Sequence, residues 1–183
     1  MTKEQWAFLV SLIAMLLISS SYFVKRKSQY LTLQGLGICF LILSYFFTGE
    51  YFAMVGLTIG LGRSLTYLLF EVKDKEVGVF WPILFSVLGI MAYFIINLLI
   101  LKTAKLVDII YLLSLTGYAF IFRIRNLDLL RYIVLIPTGL AILYNVLIHA
   151  VPFVIASYSF EMSANLLAIA KYDLFKRNKN EKS

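Results

Sequence analysis

The sequence has little charge and almost none of the residues that bind metals or form disulfides. Only 15% of its 183 residues are charged, whereas a soluble domain carries about 25%. One cysteine, Cys39, and one histidine, His149, exclude an internal disulfide and argue against a zinc site. There is no glycine-rich phosphate loop and no low-complexity linker. We therefore expect no metal ion and no cofactor.

The sequence is instead rich in apolar residues, which make up 61% of the chain. Soluble domains reach about 45–50%, so polar residues are too few to cover a globule in water. The net charge of +7 would suggest nucleic acid as the partner of a soluble protein. Here the basic residues lie between apolar runs, a pattern typical of membrane proteins. The expected partner is the lipid bilayer, and no nucleic acid is expected.

Apolar segments long enough to cross a bilayer occur seven times. A transmembrane helix needs about 20 mostly apolar residues. The predicted spans are Gln5–Val24, Ser28–Phe47, Tyr51–Phe70, Val77–Leu99, Leu106–Phe122, Leu129–His149 and Pro152–Leu174. The connections at Thr48–Glu50 and Ala150–Pro152 are too short to hold a soluble domain. The sequence thus predicts an all-α integral membrane protein with seven transmembrane helices.

Lysine and arginine predict the orientation, with the N-terminus outside and the C-terminus inside. This arrangement puts most basic residues on the inner side: Lys25, Arg26, Lys27, Lys73, Lys75, Arg123, Arg125, Arg131, Lys171, Lys176, Arg177, Lys179 and Lys182. The outer side receives Lys3, Lys102 and Lys105. The fifth span contains Asp108, which we expect near the outer interface. A signal peptide is the alternative for the first span, although no A-x-A site precedes Lys25.

Seven spans divide into two groups of three joined by a single helix. The expected regions are a first triple-helix bundle at 1–75, a linking helix at 76–103, a second bundle at 104–175 and a basic cytoplasmic tail at 176–183. The spans of the two bundles start about 100 residues apart. Such parallel repeats are found in the SWEET transporters. Alternatively, the spacing reflects only an even distribution of helices.

Two opposite charges lie deep within the predicted spans. Arg63 interrupts the third span and Glu161 the seventh. An arginine at the centre of a membrane helix costs about 2.5–3.5 kcal/mol, so it normally faces the protein interior and is paired there. We expect Arg63 to pair with Glu161. The pair is either a structural salt bridge between two helices or part of a pathway for a solute or a proton.

Helical periodicity puts further polar residues on the same faces as these charges. Asn165 follows Glu161 by four residues, and Tyr67 follows Arg63 by four. The sixth span contributes Asn145 and the second contributes Gln34. The predicted solute-binding residues are Arg63, Glu161, Asn165, Asn145, Gln34 and Tyr67. A buried asparagine is also common as interhelical glue, worth about 0.6 kcal/mol, so a structural role is the alternative for both asparagines.

Several short motifs carry a family resemblance. The segments Tyr45–Tyr51 and Gly62–Phe70, the pair Tyr144-Asn145, Glu161 and the end Lys171-Tyr172-Asp173 resemble the bacterial inner-membrane family called YgjV. That family commonly has arginine where this chain has Lys171. The resemblance implies a small integral protein of the bacterial inner membrane, distantly related to SWEET and PQ-loop transporters.

The sequence favours a small-solute transporter of SWEET-like build, with a polar site near the membrane midplane. The alternative is a non-transporting accessory, sensor or scaffold protein with a structural ion pair. We expect no enzymatic activity, since Cys39 lies within a span and His149 at the end of another, too far apart for a cysteine peptidase. The expected location is the plasma membrane, and the composition is compatible with a homo-oligomer.

Overall fold

The computed structural model describes residues 2–48, 51–100, 102, 105–149 and 152–180. Within these ranges the chain forms helices and no strands, so the all-α class is confirmed. The α-helices are α1 (Lys3–Ser21), α2 (Lys27–Thr48), α3 (Tyr51–Val72), α4 (Phe80–Tyr93), α5 (Asp108–Ile121), α6 (Leu127–Leu147) and α7 (Pro152–Asn180). A π-helical segment, Phe94–Ile100, continues α4. Residues 49–50 and 150–151 of the predicted connections, and 181–183 of the predicted tail, lie outside the described residues.

Five of the helical stretches are long and apolar enough to cross a membrane: Lys3–Ser21, Lys27–Phe47, Met54–Val72, Phe80–Asn97 and Leu127–Leu147. Helix α5 has only 14 residues. It begins later than predicted because the Asp108 carboxylate accepts a hydrogen bond from the backbone N–H of Lys105 at 2.6 Å, which keeps the preceding residues in a turn. Asp108 is also buried.

Polar residues mark where helices begin. Before α1, Thr2 accepts a hydrogen bond from the Gln5 backbone, and the Gln5 side chain accepts one from the Thr2 backbone. Before α6, the Asn126 side chain accepts hydrogen bonds from the backbone of Asp128 and Leu129. These caps satisfy N–H groups that have no partner within the helix. They explain why the helices start at these positions.

Large apolar side chains are exposed on every helix. Examples, one from each of α1 to α7, are Leu16 at 51%, Phe46 at 58%, Leu69 at 59%, Ile83 at 48%, Leu113 at 57%, Ile136 at 65% and Leu167 at 65%. A soluble monomer rarely exposes apolar surface this continuously. Hydrocarbon is the solvent that suits such a surface, so a multi-pass membrane protein agrees with both composition and structure.

One end of the helix bundle gathers three loops and the C-terminal part of α7. We call it the basic end; its loops are Tyr22–Arg26, Lys73–Val79 and Phe122–Asn126. Side-chain contacts connect them. The Lys27 ammonium donates to the Arg123 carbonyl at 3.4 Å, and the Arg123 side chain donates to the Val77 carbonyl at 2.7 Å. From α7, the Tyr172 hydroxyl donates to the Phe23 carbonyl at 2.6 Å.

The first and second helical hairpins, α1–α2 and α5–α6, share a pattern at an offset of 100 residues. Helix α1 ends at Ser21 and α5 at Ile121, while α2 begins at Lys27 and α6 at Leu127. Residues 21–34 and 121–134 have the same sequence of buried, half-buried and exposed positions. The residue types at equivalent positions mostly differ. The likeness is therefore one of helix ends and burial rather than of residue type.

A glycine brings the helices of each hairpin into close contact. A Cβ atom on Gly37 of α2 would lie 2.5 Å from the side chain of Ile18 and 3.2 Å from the carbonyl oxygen of Ala14, both on α1. A Cβ atom on Gly117 of α5 would lie 3.3 Å from the Pro137 ring of α6. A Cβ atom on Gly37 would require the Ile18 side chain to move, and one on Gly117 would require Pro137 to shift by a few tenths of an ångström.

Candidate functional site

Five of the six predicted solute-binding residues form side-chain hydrogen bonds within the protein, among them Gln34, Tyr67 and Asn145. The Gln34 side chain donates to the Ser21 hydroxyl at 3.0 Å, and the Tyr67 hydroxyl donates to the Ala119 carbonyl at 2.8 Å. The Asn145 side chain donates to the carbonyl of Ala141 on its own helix at 2.7 Å. These three side chains are buried. The contacts of Gln34 and Tyr67 join two helices, whereas that of Asn145 stays within α6.

Arg63 lies between α3 and α5 with an unusual set of neighbours. Its guanidinium carbon is 4.8 Å from the centre of the Phe122 ring and 5.9 Å from that of Tyr118. Its buried Nε atom has no hydrogen-bond partner, and Arg63 is in none of the three ion pairs among the described residues. Cation–π contacts of this kind contribute about 0.5–2 kcal/mol. They orient the guanidinium but leave its N–H donors unused.

Glu161 is not paired with Arg63, so that expectation from the sequence is wrong. Instead, the Tyr22 hydroxyl of α1 donates to Glu161 Oε1 of α7 at 2.6 Å. The second carboxylate oxygen accepts no hydrogen bond from a described residue. The physical reason is that each charge lies beside an aromatic residue. The Tyr22 hydroxyl binds the Glu161 carboxylate, and the faces of the Phe122 and Tyr118 rings contact the Arg63 guanidinium.

The partners of the two charges occupy equivalent positions in the two hairpins. Tyr22 ends α1 and Phe122 ends α5, 100 residues apart. Glu161 contacts the first and Arg63 the second. Both charged side chains are half-buried. Glu161 and Arg63 thus contact equivalent residues of the two hairpins but form no ion pair with each other.

Tyr30 connects these two places and was not predicted from the sequence. Its ring lies edge-on to those of Tyr22 and Phe122, at centroid distances of 5.6 Å in each case. Tyr30 is completely buried, and its hydroxyl has no hydrogen-bond partner. Nothing in the sequence singled out this tyrosine. We call Tyr22, Tyr30, Arg63, Phe122 and Glu161 the central cluster.

Asn165 extends the central cluster by one helical turn along α7. Its side-chain nitrogen donates to the backbone carbonyl of Arg131 at 2.7 Å. Its side-chain oxygen is buried and has no hydrogen-bond partner, although the residue is only 1% exposed. A buried acceptor left unpaired costs about 1–3 kcal/mol. An unbound acceptor here therefore needs a donor from water or from a ligand.

Arg131 is the other buried arginine, and the sequence counted it only as an inner-side charge. Its Nε atom donates to the Tyr22 carbonyl at 2.9 Å, and one terminal nitrogen donates to the Val24 carbonyl. The other terminal nitrogen pairs with Asp128 at 2.9 Å. Its guanidinium also stacks on the Tyr172 ring at 4.1 Å. Arg131 of α6 thus binds the end of α1.

Lys27 makes the reciprocal connection from α2 to the end of α5. It is buried, donates to the Arg123 carbonyl and lies 3.6 Å from the Glu71 carboxylate. The last carbonyls of a helix lack partners within the helix, which is why a cation is well placed at both helix ends. We call the Arg131 and Lys27 contacts the basic-end clasps.

Asp108 organises the bundle away from the basic end. The hydroxyls of Tyr93 and Tyr144 donate to its two oxygens, the latter at 3.1 Å. The carboxylate thereby joins α4, α5 and α6. Because the backbone N–H of Lys105 is a third donor, this buried charge is well compensated, which is the condition for burying a carboxylate.

Two clefts lie at the surface of the described residues rather than at the central cluster. One, of about 550 Å³, is lined by Glu4, Gln5, Phe8 and Leu9. The other, of about 350 Å³, lies at the basic end beside Val77 and Arg123. Neither is lined by a predicted solute-binding residue. Among the described residues there is also no group of three or more His, Cys, Asp or Glu side chains suited to a metal ion.

Comparison with protein-family models, curated proteins and solved structures finds no match to this chain. The resemblance to the YgjV family therefore rests on the short motifs quoted above. What the arrangement can do chemically follows from its own groups. Its donors are N–H groups of Arg63 on α3 and the hydroxyl of Tyr30 on α2. Its acceptors are one oxygen of Glu161 and the side-chain oxygen of Asn165, both on α7.

Proposed function

We propose that this chain is a multi-pass protein of the bacterial inner membrane that transports a small polar solute. Its build would be SWEET-like, with seven spans in a 3+1+3 arrangement, the N-terminus outside and the C-terminus inside. The exposed apolar side chains and five long apolar helices support insertion in lipid. The gathering of basic loops at one end of the bundle supports the orientation, because cytoplasmic loops are enriched in lysine and arginine.

The matching packing of the two hairpins supports parallel repeats. Helix ends and burial recur at an offset of 100 residues, and the partners of Glu161 and Arg63 are equivalent residues. In transporters built from such repeats, the solute lies between the repeats near the midplane. The central cluster draws its residues from α2, α3 and α7 and from the ends of α1 and α5, so it lies between the two proposed repeats, toward the basic end.

The observation that carries the proposal is the unused guanidinium of Arg63. A charged side chain in a membrane helix is costly and usually paired or facing a water-filled cavity. Arg63 has aromatic neighbours but donates no hydrogen bond to a described residue and forms no ion pair. A partner from outside the chain, such as a solute group that accepts hydrogen bonds, would compensate this cost.

The basic-end clasps suggest how access to the site alternates. Arg131 binds the end of α1 and Lys27 the end of α5, so both connect the two proposed repeats on the inner side. With the clasps formed, the inner side is closed. Opening it requires both sets of hydrogen bonds to break, while α6 flexes at Pro137, whose ring removes one helical hydrogen bond.

Transport can be tested with the purified full chain in proteoliposomes. We expect counterflow of at least one labelled compound from a panel of sugars, nucleosides, organic acids and amino acids. Arg63→Leu should reduce the rate at least about tenfold, since a charge-assisted hydrogen bond is worth roughly 1.5–3 kcal/mol. Arg125→Gln, at an exposed ion pair with Asp74, is the matched control. Full transport by an Arg63→Leu/Glu161→Leu double variant would contradict the proposed site.

A second candidate is a non-transporting membrane accessory or scaffold protein. The internal hydrogen bonds of Gln34 and Tyr67 favour it, since each of them joins two helices. The same proteoliposome experiment distinguishes the candidates. A folded protein that moves none of the panel compounds, and whose stability is unchanged by each of them, supports the scaffold role.

A further inference from the structure

We infer that the central cluster binds a zwitterionic solute, with its carboxylate at Arg63 and its ammonium group at Glu161. This inference rests on the proposed function and names its substrate class. It follows from three features of the described residues: unused donors on one side, unused acceptors on the other, and two opposite charges that are not paired with each other.

The donor side is formed by Arg63 on α3. A guanidinium has five N–H donors in a planar fork that matches a carboxylate. None of the donors of Arg63 binds a described residue, and its Nε–H is buried. The rings of Phe122 and Tyr118 hold the guanidinium in place. A rigid, unoccupied donor fork is suited to a planar anionic group such as a carboxylate.

The acceptor side is formed by α7. Glu161 uses one oxygen for the Tyr22 hydroxyl and has the other unoccupied. Asn165 lies one turn further along the same face, and its buried side-chain oxygen has no partner. Carboxylate and amide oxygens accept hydrogen bonds from ammonium groups. An ammonium group near Glu161 could therefore donate to acceptors that the protein leaves free.

The separation of the two charges argues for one solute that carries both signs. Arg63 and Glu161 do not form an ion pair within 4.0 Å. The rings of Tyr22, Tyr30 and Phe122 form a row in which neighbouring ring centres are 5.6 Å apart. Tyr22, at one end of the row, is the partner of Glu161, and Phe122, at the other end, is the partner of Arg63. A simple anion would compensate Arg63 but leave Glu161 without a counter-ion. A zwitterion compensates both and leaves the site neutral, which low dielectric surroundings favour.

Tyr30 lies between the two sides and is suited to contact the middle of such a solute. Its hydroxyl is buried, and its electrostatic neighbours include Tyr22, Glu161 and Arg63. A hydroxyl can donate or accept. It can therefore face either charged group, or a backbone of methylene carbons flanked by aromatic rings.

The test measures binding to the full chain in detergent micelles, separately from transport. The probes are glycine, 4-aminobutyrate and 6-aminohexanoate, which carry both charges at increasing separation. Butyrate and butylamine match 4-aminobutyrate in size but carry one charge each. We expect at least one zwitterion to bind, by isothermal titration calorimetry, at least about tenfold more tightly than either single-charge probe.

Variants assign the two ends of the solute. Glu161→Gln keeps the size of the side chain and an oxygen that can accept from Tyr22. It should remove the preference for a zwitterion over butyrate. Arg63→Leu should abolish binding of both, and Arg63→Lys serves if the leucine variant does not fold. Equal binding of butyrate and the zwitterions by the unmodified protein, or binding of none of the three zwitterions, would overturn the inference.

The two proposals fail in different ways. Transport of a sugar or nucleoside without zwitterion binding would keep the transporter and overturn the inference. Zwitterion binding without counterflow in proteoliposomes would support the inference and contradict transport.

Discussion

Two arginines of this protein, the buried Arg131 and the half-buried Arg63, show how differently one residue type can be used. Arg131 at the basic end donates to Tyr22, Val24 and Asp128 and stacks on Tyr172. Arg63 has ring faces beside it and no hydrogen-bond or ion-pair partner among the described residues. The first is a structural clasp, and the second is a group whose partner is missing from the chain.

The difference arises from the groups that face each guanidinium. Arg131 is close to the end of α1, whose last carbonyls have no partner within that helix. Arg63 lies within α3, beside the rings of Tyr118 and Phe122 at the end of α5. Carbonyl oxygens thus accept hydrogen bonds from Arg131, whereas ring faces contact Arg63. An arginine within a membrane helix that has no acceptor is therefore the better indicator of a binding site.

The largest expected effect is that of replacing Arg131, the arginine of the basic-end clasps. Arg131→Met should lower the free energy of unfolding by about 3–5 kcal/mol, because it removes the ion pair with Asp128 and the donor of two backbone carbonyls. Unfolding in mixed micelles, followed by circular dichroism, measures the change. The stability of Arg131→Lys should lie between those of the unmodified protein and Arg131→Met, since an ammonium cannot reproduce the planar fork of a guanidinium. A loss below about 1 kcal/mol would mean that the clasp is weak.

Arg63→Met should change the free energy of unfolding in the opposite direction. Removing a charge that lacks a partner relieves its desolvation cost, so the free energy of unfolding should be unchanged or should rise by about 1 kcal/mol or more. The same micelle titration applies, with Arg131→Met run in parallel. A loss as large as that of Arg131→Met would show that Arg63 has a structural partner after all, and the comparison would fail.

Tyr67→Phe tests a neutral contact between the same helices as Arg63. The Tyr67 hydroxyl donates to the Ala119 carbonyl of α5 in a fully buried setting. Its removal should cost about 1 kcal/mol, the net value of a typical hydrogen bond. The micelle titration measures it. No change would indicate that water replaces the hydroxyl, and that the space between α3 and α5 is wet.

The smallest effect is expected at an arginine outside the bundle. Arg125 pairs with Asp74 at the surface, where the two side chains are 44% and 87% exposed. Solvent and salt screen such a pair, so Arg125→Gln should not change the unfolding transition detectably. Repeating the titration at low and high salt checks this. A measurable, salt-sensitive loss would show that surface charge contributes more at the basic end than its exposure suggests.

The sequence predicted the helices well because their signals are local. Each of the seven spans coincides with a helix, and the caps at Thr2 and Asn126 follow from residue type. The apolar pattern also placed Arg63 within a helix correctly. These features depend only on neighbouring residues and on the length needed to cross a membrane.

What the sequence could not supply is the choice of partners across the bundle. Arg63 and Glu161 were expected to pair because they are the deep charges of opposite sign, yet Tyr22 and Phe122 lie nearer to them. Arg131 looked like an inner-side charge because its acceptors are backbone carbonyls, which every residue has. Tyr30 gave no signal, because its role depends on two rings from other parts of the chain.

The glycine in the first hairpin has a mechanical consequence. A methyl group on Gly37 would lie 2.5 Å from the Ile18 side chain and 3.2 Å from the Ala14 carbonyl oxygen, so α2 lies directly against α1 at this point. We therefore expect α1 and α2 to move together as one unit, while α6 flexes at Pro137. A bulky residue at position 37 should separate α1 from α2 and leave the contact between α5 and α6 unchanged.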